Sequence, residues 1–328
     1  HILQHGNKTI VLLQNGKFYE IFNLKIKDHT QKLSTKLLKL HQPPHYPFNQ
    51  QYSHINHVSQ ICNLAISNRH QFENHDVLMA GIPTQQLDKY LEILVKHGYT
   101  VPVYNQEYDG KNPPRNLKCI YSASTFLHNN NNITLSNSIV CSWIELNKKL
   151  NKINIAIAVI DSTTSQSTLS EYIHDFHHQP TTYDDIQRTI SIQQPTEFIL
   201  IGNMPSNILN DIIQFINVNP AYSHIHSSIN NDPLYNQNIT QCSKQTYQLQ
   251  LIQQSFQNIN HLDFMQNYLS ISPLATQAFC FLLHFFQTHN QRLIHHIQQP
   301  TFNQQQLVLA NNCHAKVGRW EVPQRSST

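Results

Sequence analysis

Phe18 and Glu20 stand two positions apart in Gly16-Lys17-Phe18-Tyr19-Glu20-Ile21-Phe22. An extended chain repeats every two residues, so an aromatic ring and a carboxylate point to one side, with Phe22 beside them, while Tyr19 and Ile21 face the other way. The plain alternative is that Phe18 and Phe22 are core aromatics and Glu20 is merely exposed at a strand edge. A second candidate is Asp161, which opens Asp161-Ser162-Thr163-Thr164 at the end of an apolar run. Carboxylates at such strand ends can hold metal ions when others converge on them, but only 19 acidic residues occur in 328, and a polar turn is the commoner role. His177-His178, His224 with His226, and His295-His296 lack the paired Cys or carboxylate spacing of a zinc site. Among 22 histidines such pairs are expected by chance. Lys25, Lys27, Lys32, Lys36 and Lys39 can meet phosphates but equally make a solvated face.

Several chemistries are excluded. No Gly-x-x-x-x-Gly-Lys-Ser/Thr loop exists to cradle a nucleoside triphosphate, and Gly202 stands alone after its strand, without a dinucleotide fingerprint. The six cysteines are dispersed with no Cys-x-x-Cys pair, which argues against a zinc ribbon or disulfide framework and for a reducing intracellular compartment. The apolar run around 278–286 contains His284 and falls short of the ~20 residues of a membrane span. Charged residues are 12% of the chain, about half the ~25% of average soluble proteins. Gly, Met, Trp, Asp and Glu are scarce, and each needs guanine in its codon, so the abundance of Asn, Gln and His reads as coding composition. A formal charge of +3 suits weak attraction to phosphate without marking a dedicated nucleic-acid binder. The chain opens on His1 without a basic leader, which reads as a truncation.

The elements that must position these residues follow from pattern. Val11-Leu12-Leu13 and Phe18–Phe22 are strands joined by a tight Asn15-Gly16 hairpin. The segment 25–57, broken by Pro43-Pro44, reads as a helix or irregular stretch followed by a loop. After Met79–Pro83, Thr84 is the expected N-cap of a helix with Leu87, Tyr90, Leu91 and Leu94 on one stripe, closed by Gly98 and followed by a strand at 99–104. Asp109–Pro114 is the expected linker. Strands at 117–121, 138–145, 153–161 and 197–202, with helices near 183–193 and from Ser206 to 216, predict an α/β layer domain. From about 245 onward the pattern is helical. Residues 313–328 break the compositional habit and read as a frame change, splice or junction.

Gly16–Phe22 resembles the Gly-x-Phe-Tyr-Glu-Leu/Ile-Phe signature of the MutS mismatch-recognition domain. Met79-Ala80-Gly81-Ile82-Pro83 is similar to the family's second motif, and Leu87-Asp88-Lys89-Tyr90-Leu91 with Gly98-Tyr99-Thr100-Val101 matches the helix and strand after it. Asn105-Gln106 lies where the family has Glu-Gln. Tyr121–Thr125 resembles a degraded form of the stretch that opens the family's connector, and 155–163 resembles the connector's Ile-Ala-x-x-Asp strand. Four ordered matches are far more specific than one. Lys17, Thr84-Gln85 and Ala123-Ser124 depart from the family pattern, and the tone is closer to viral and organellar members than to bacterial ones.

The resemblance implies an α/β multidomain fold: a mixed-sheet mismatch-recognition domain (1–108), a ribonuclease-H-like connector (109–235), the start of an all-α lever (236–312), and an atypical tail (313–328). It implies that Phe18 wedges into the duplex beside a mispaired base and that Glu20 hydrogen-bonds that base, with Tyr19 and Phe22 as packing residues. It implies double-stranded mismatched DNA, a second copy of the chain and a MutL-type protein as partners. ATP and Mg serve the full-length family's ATPase, whose nucleotide loop this chain lacks. No catalytic, cofactor or metal residue is assigned, and no membrane. Two alternatives are a metal-dependent ribonuclease-H-like nuclease built on Asp161 and a truncated, inactive reading frame.

Overall fold

A computed structural model describes residues 8–25, 54–72, 75–108, 113–126, 137–227, 233–256 and 259–302, with His1, His5 and Ile229. The lysine-rich stretch through Lys27, Lys32, Lys36 and Lys39, the Pro43-Pro44 break, the start of the 109–114 linker, Cys313 and the 313–328 tail lie outside the described residues, as does the side chain of Lys25. The chain divides into two compact units, His1–Asn130 and Asn131–Thr328.

The first unit is a mixed sheet of β1 (Leu12–Asn15), β2 (Phe18–Lys25), β3 (Ser67–Phe72), β4 (His75–Pro83), β5 (Val101–Gln106) and β6 (Arg115–Tyr121), in the order β3-β4-β2-β1-β5-β6. Only β1 and β5 run parallel. Helix α1 (Ile55–Cys62) buries Ile55, Val58 and Cys62, and α2 (Leu87–Lys96) buries Leu87, Leu91, Leu94 and Val95, each a single helical stripe. Both stripes pack on Tyr19, Ile21, Ala80, Ile82, Val101 and Val103 of the sheet.

Two local expectations change here. Thr84 does not cap α2: its N–H bonds to the Lys17 carbonyl at 3.0 Å and extends the β2–β4 ladder. A 3₁₀ turn over Thr84–Gln86 intervenes before the helix begins. Strand β6, expected to open the second set of elements, is instead an edge of the first sheet, antiparallel to β5.

In the second unit, β7 (Ser138–Asn147), β8 (Lys152–Asp161) and β9 (Ser167–Asp175) form an antiparallel meander. Strand β10 (Glu197–Gly202) lies parallel to β7, β11 (Ser223–Ser227) parallel to β10, and β12 (Thr301–Phe302) parallel to β9, giving the order β11-β10-β7-β8-β9-β12. Both faces are apolar, so the strands read as continuous hydrophobic runs that need cover on each side. Val140, Ile144, Ile155 and Ile157 meet α3 (Asp184–Gln193) and α4 (Ser206–Phe215) through Ile186, Leu209 and Ile212. At Gly202 an added Cβ would stand 2.7 Å from Leu209 Cδ2 of α4, a packing reason for the lone glycine.

The other face, through Ile139, Cys141, Trp143, Ala156 and Ala158, meets the long helix α8 (Pro273–His289), against which α5 (Pro233–Cys242) and α6 (Gln245–Ser255) pack, with α7 (His261–Phe264) preceding it. The helical segment is thus a layer on this sheet, and the short α9 (Gln291–Ile294) follows it. Among the described residues no single helix is long and apolar enough to cross a membrane. The N-terminus of α8 is capped from the sheet: the Glu171 carboxylate on β9 accepts from the N–H groups of Leu274 and Ala275, both at 3.0 Å.

At the end of α8, His289 is 5% exposed and hydrogen-bonds through Nδ1 to the Phe285 carbonyl at 2.9 Å. Burial pushes its pKa down to about 4 against the opposing Glu197 charge, and burial pushes His226 on β11 to about 3. Both values lie below the unfolded 6.5, so the unfolded chain takes up protons first as pH falls. Stability is therefore full above about pH 6.5 and is lost toward pH 4, by on the order of 2 kcal/mol from His289 alone at pH 5. Calorimetry should show a lower Tm at pH 5 than at pH 7, with a smaller drop in His289→Gln; an equal drop in the two proteins would contradict this.

Candidate nucleic-acid interface

The β1–β2 hairpin turns at Gly16, whose φ of +58° suits glycine. Gln106 ties the tip down: its side-chain oxygen accepts from the Gly16 N–H at 2.9 Å, and its own N–H donates to Gln14 Oε1 at 3.1 Å. Arg115 Nε donates to the Gln14 carbonyl at 2.8 Å. The register then places Asn15 opposite Phe18 and Leu13 opposite Glu20 on one side, and Pro83, Gly81 and Met79 opposite Phe18, Glu20 and Phe22 on the other.

This register sorts the motif by face. Tyr19 is 5% exposed and Ile21 is buried with it in the α1–α2 core, where the Tyr19 hydroxyl donates to Asn105 Oδ1 at 2.8 Å. Phe18 is 49% and Phe22 39% exposed on the opposite face. The reading of Phe18 and Phe22 as core aromatics therefore fails. The Phe18 ring lies across Gly81, where an added Cβ would sit 3.6 Å from Phe18 Cδ1.

Glu20 is more sheltered than a strand-edge carboxylate, with 12% of its side chain exposed. Asn15 Nδ2 donates to both carboxylate oxygens at 3.1 Å from the β1 side. From the β3 side Arg69 forms an ion pair with Oε2. Arg69 reaches across because β3 carries a bulge: Asn68 pairs with Leu78 and His70 with Val77, leaving Arg69 as the extra residue. Its guanidinium carbon stands 5.5 Å from the Phe22 ring centroid, and Nη1 is 3.4 Å from Met79 Sδ. Phe18, Glu20, Phe22, Arg69 and Asn15 thus share one outer face. Arg69 carried no signal in the sequence, and Asn15 signalled only a turn.

The other candidates resolve into structural roles. Asp161 Oδ1 accepts from the N–H groups of Asn137, Thr163 and Thr164 at 3.3, 2.8 and 3.3 Å, the bonding of a polar turn. His224 pairs with the buried Glu197 at 2.6 Å, and His178 with Asp211 at 3.2 Å. Among the described residues no group of three or more His, Cys, Asp or Glu is arranged to hold a metal ion.

With this geometry in hand, comparison with known proteins is informative. The family described as MutS domain I matches residues 53–130, which include β3, β4, α2, β5 and β6 of the first unit. A mutS homolog of Acanthamoeba polyphaga mimivirus is 22% identical over 338 aligned residues, covering 94% of this chain and 27% of that protein. The DNA mismatch repair protein MutS of Staphylococcus aureus, in strains JH9 and Newman, is 22% identical over 186 residues, covering 55% of this chain and 20% of the relative. The chain spans about a quarter of the length of the viral relative and a fifth of the bacterial ones. The match to MutS domain I covers both helices of the first unit and four of its six strands, leaving β1 and β2 outside it. The chain is thus similar to MutS proteins, over 53–130 by family model and over most of its length to the viral homolog.

Because Tyr19 holds the motif from the core side, Tyr19→Phe should cost about 1 kcal/mol through the lost bond to Asn105 and leave the outer face in place. Chemical denaturation measures the loss; an unchanged midpoint would show that the bond contributes nothing to holding β2.

Proposed function

We propose that this chain recognises mismatched duplex DNA in mismatch repair, with Phe18 as the wedge and Glu20 as the base contact. The observation that carries the reading is the exposure of Phe18 beside Glu20 on a face backed by its own buried core. Inserting a ring between base pairs costs a few kcal/mol of unstacking, least where pairing is already defective, and that difference is the source of discrimination. Glu20 repels phosphate, so its benefit comes from a base-edge hydrogen bond that a well-stacked pair does not offer. Glu20 thereby tunes specificity while Phe18 sets affinity for the lesion.

In the second unit, the order β9-β8-β7-β10-β11, three antiparallel strands followed by two parallel ones, supports the reading of this sheet as a ribonuclease-H-like connector. The helices from 233 onward are the start of the lever. The full-length protein works as a dimer, signals to a MutL-type partner and hydrolyses ATP with Mg. This chain's own residues supply no nucleotide loop, so that step lies with other residues.

Binding at low salt to a duplex with one G·T mismatch and to its matched control tests the reading. Phe18→Ala should lose about tenfold or more in affinity for the mismatched duplex, the scale of one base–aromatic stack, and little for the matched one. Glu20→Ala should change the ratio between the two duplexes; equal losses on both would contradict the role given to the carboxylate.

A further inference from the structure

We infer that Arg69 is a third DNA-contacting residue of this face, which pairs with Glu20 in the free protein and exchanges that carboxylate for a backbone phosphate when a duplex docks. The inference rests on the proposed mismatch-binding reading and adds a residue and a sequence of events to it. Arg69 is 38% exposed, so one side of its guanidinium faces solvent while Nη1 is held on Glu20. The β3 bulge aims it, and the Phe22 ring beneath supports the guanidinium as a flat surface. An arginine fork so placed matches phosphate geometry as well as it matches carboxylate.

The pairing resolves a conflict of charge. A bare carboxylate beside Phe18 would repel the phosphates that must approach it, whereas the Arg69–Glu20 pair presents no net charge during approach. Once phosphate takes the guanidinium, Glu20 keeps the Asn15 amide on both oxygens and is released on its β3 side to accept from a base edge. Phe22, left without a role by the wedge reading, is the platform on which Arg69 makes the exchange.

The test is the salt dependence of binding by the whole chain to mismatched and matched duplexes, for wild type, Arg69→Gln, Arg69→Lys and Phe18→Ala. Arg69→Gln should lower the slope of log K against log salt by about one on both duplexes, as loss of one phosphate contact does, while Phe18→Ala leaves the slope unchanged and removes the mismatch preference. Arg69→Lys keeps the charge and should keep the slope. An unaltered slope in Arg69→Gln, or the same loss in Arg69→Lys, overturns the exchange even where Phe18→Ala behaves as expected. Binding without mismatch preference in wild type overturns the recognition reading, while the Arg69 slopes still decide the exchange. No binding to either duplex overturns both.

Discussion

The alternation of a single strand sets the terms for the first unit. Along β2, Tyr19 and Ile21 are buried against α1 and α2. A slip of one residue would expose Tyr19 and Ile21 and drive Phe18, Glu20 and Phe22 into the core, burying a carboxylate among apolar groups. Burying those two side chains is worth several kcal/mol, at ~1.5–3 kcal/mol for each large apolar residue, so the register is held by the core and not by the outer face. The outer face is thereby free to carry residues that the register does not depend on. An aromatic ring half in water is a poor use of apolar surface for folding, and it persists because the opposite side of the same strand supplies the folding energy.

The second unit obeys a different constraint with the same logic. Every residue from Ile155 to Ile160 is buried, so alternation there separates two cores instead of a core and a surface. Such a sheet must be sandwiched between helices, and α3 and α4 on one side with α8 on the other complete it. Glu171 shows how tightly these parts are joined: a β9 carboxylate closes the N-terminus of a helix more than a hundred residues later.

What the sequence disclosed and what it hid divide along this line. The Phe18–Glu20 face, the hairpin at Gly16 and the α2 stripe were legible because each is a local periodicity. Strand β3 was not, since Ser67–Phe72 is a polar run without apolar alternation and its bulge breaks the two-residue repeat. Arg69 was hidden with it. Alternation placed Phe22 on the Phe18 face, but nothing in the sequence showed that Arg69 would lie over its ring. The place of β6 was hidden for another reason: membership of a sheet edge depends on which neighbour is closest in space, and Pro113-Pro114 before it looks like any linker.

The contacts around Glu20 also decide how rigid this face should be. An ion pair with partners 12% and 38% exposed gains on the order of 1 kcal/mol or less in water, because solvent screens it and the arginine loses side-chain freedom. The Asn15 amide adds a charge-assisted hydrogen bond from the hairpin, a rigid element tied down by Gln106. Glu20 is thus fixed firmly on one side and weakly on the other. The firm side sets where the carboxylate points, and the weak side can be given up to a competing anion at little cost. A face built wholly from strong contacts would lock the carboxylate, and one without the Asn15 bond would leave it unaimed. The bulge in β3 supplies the difference, since it delivers a cation from across β4, from a strand that shares no hydrogen-bonded rung with β2.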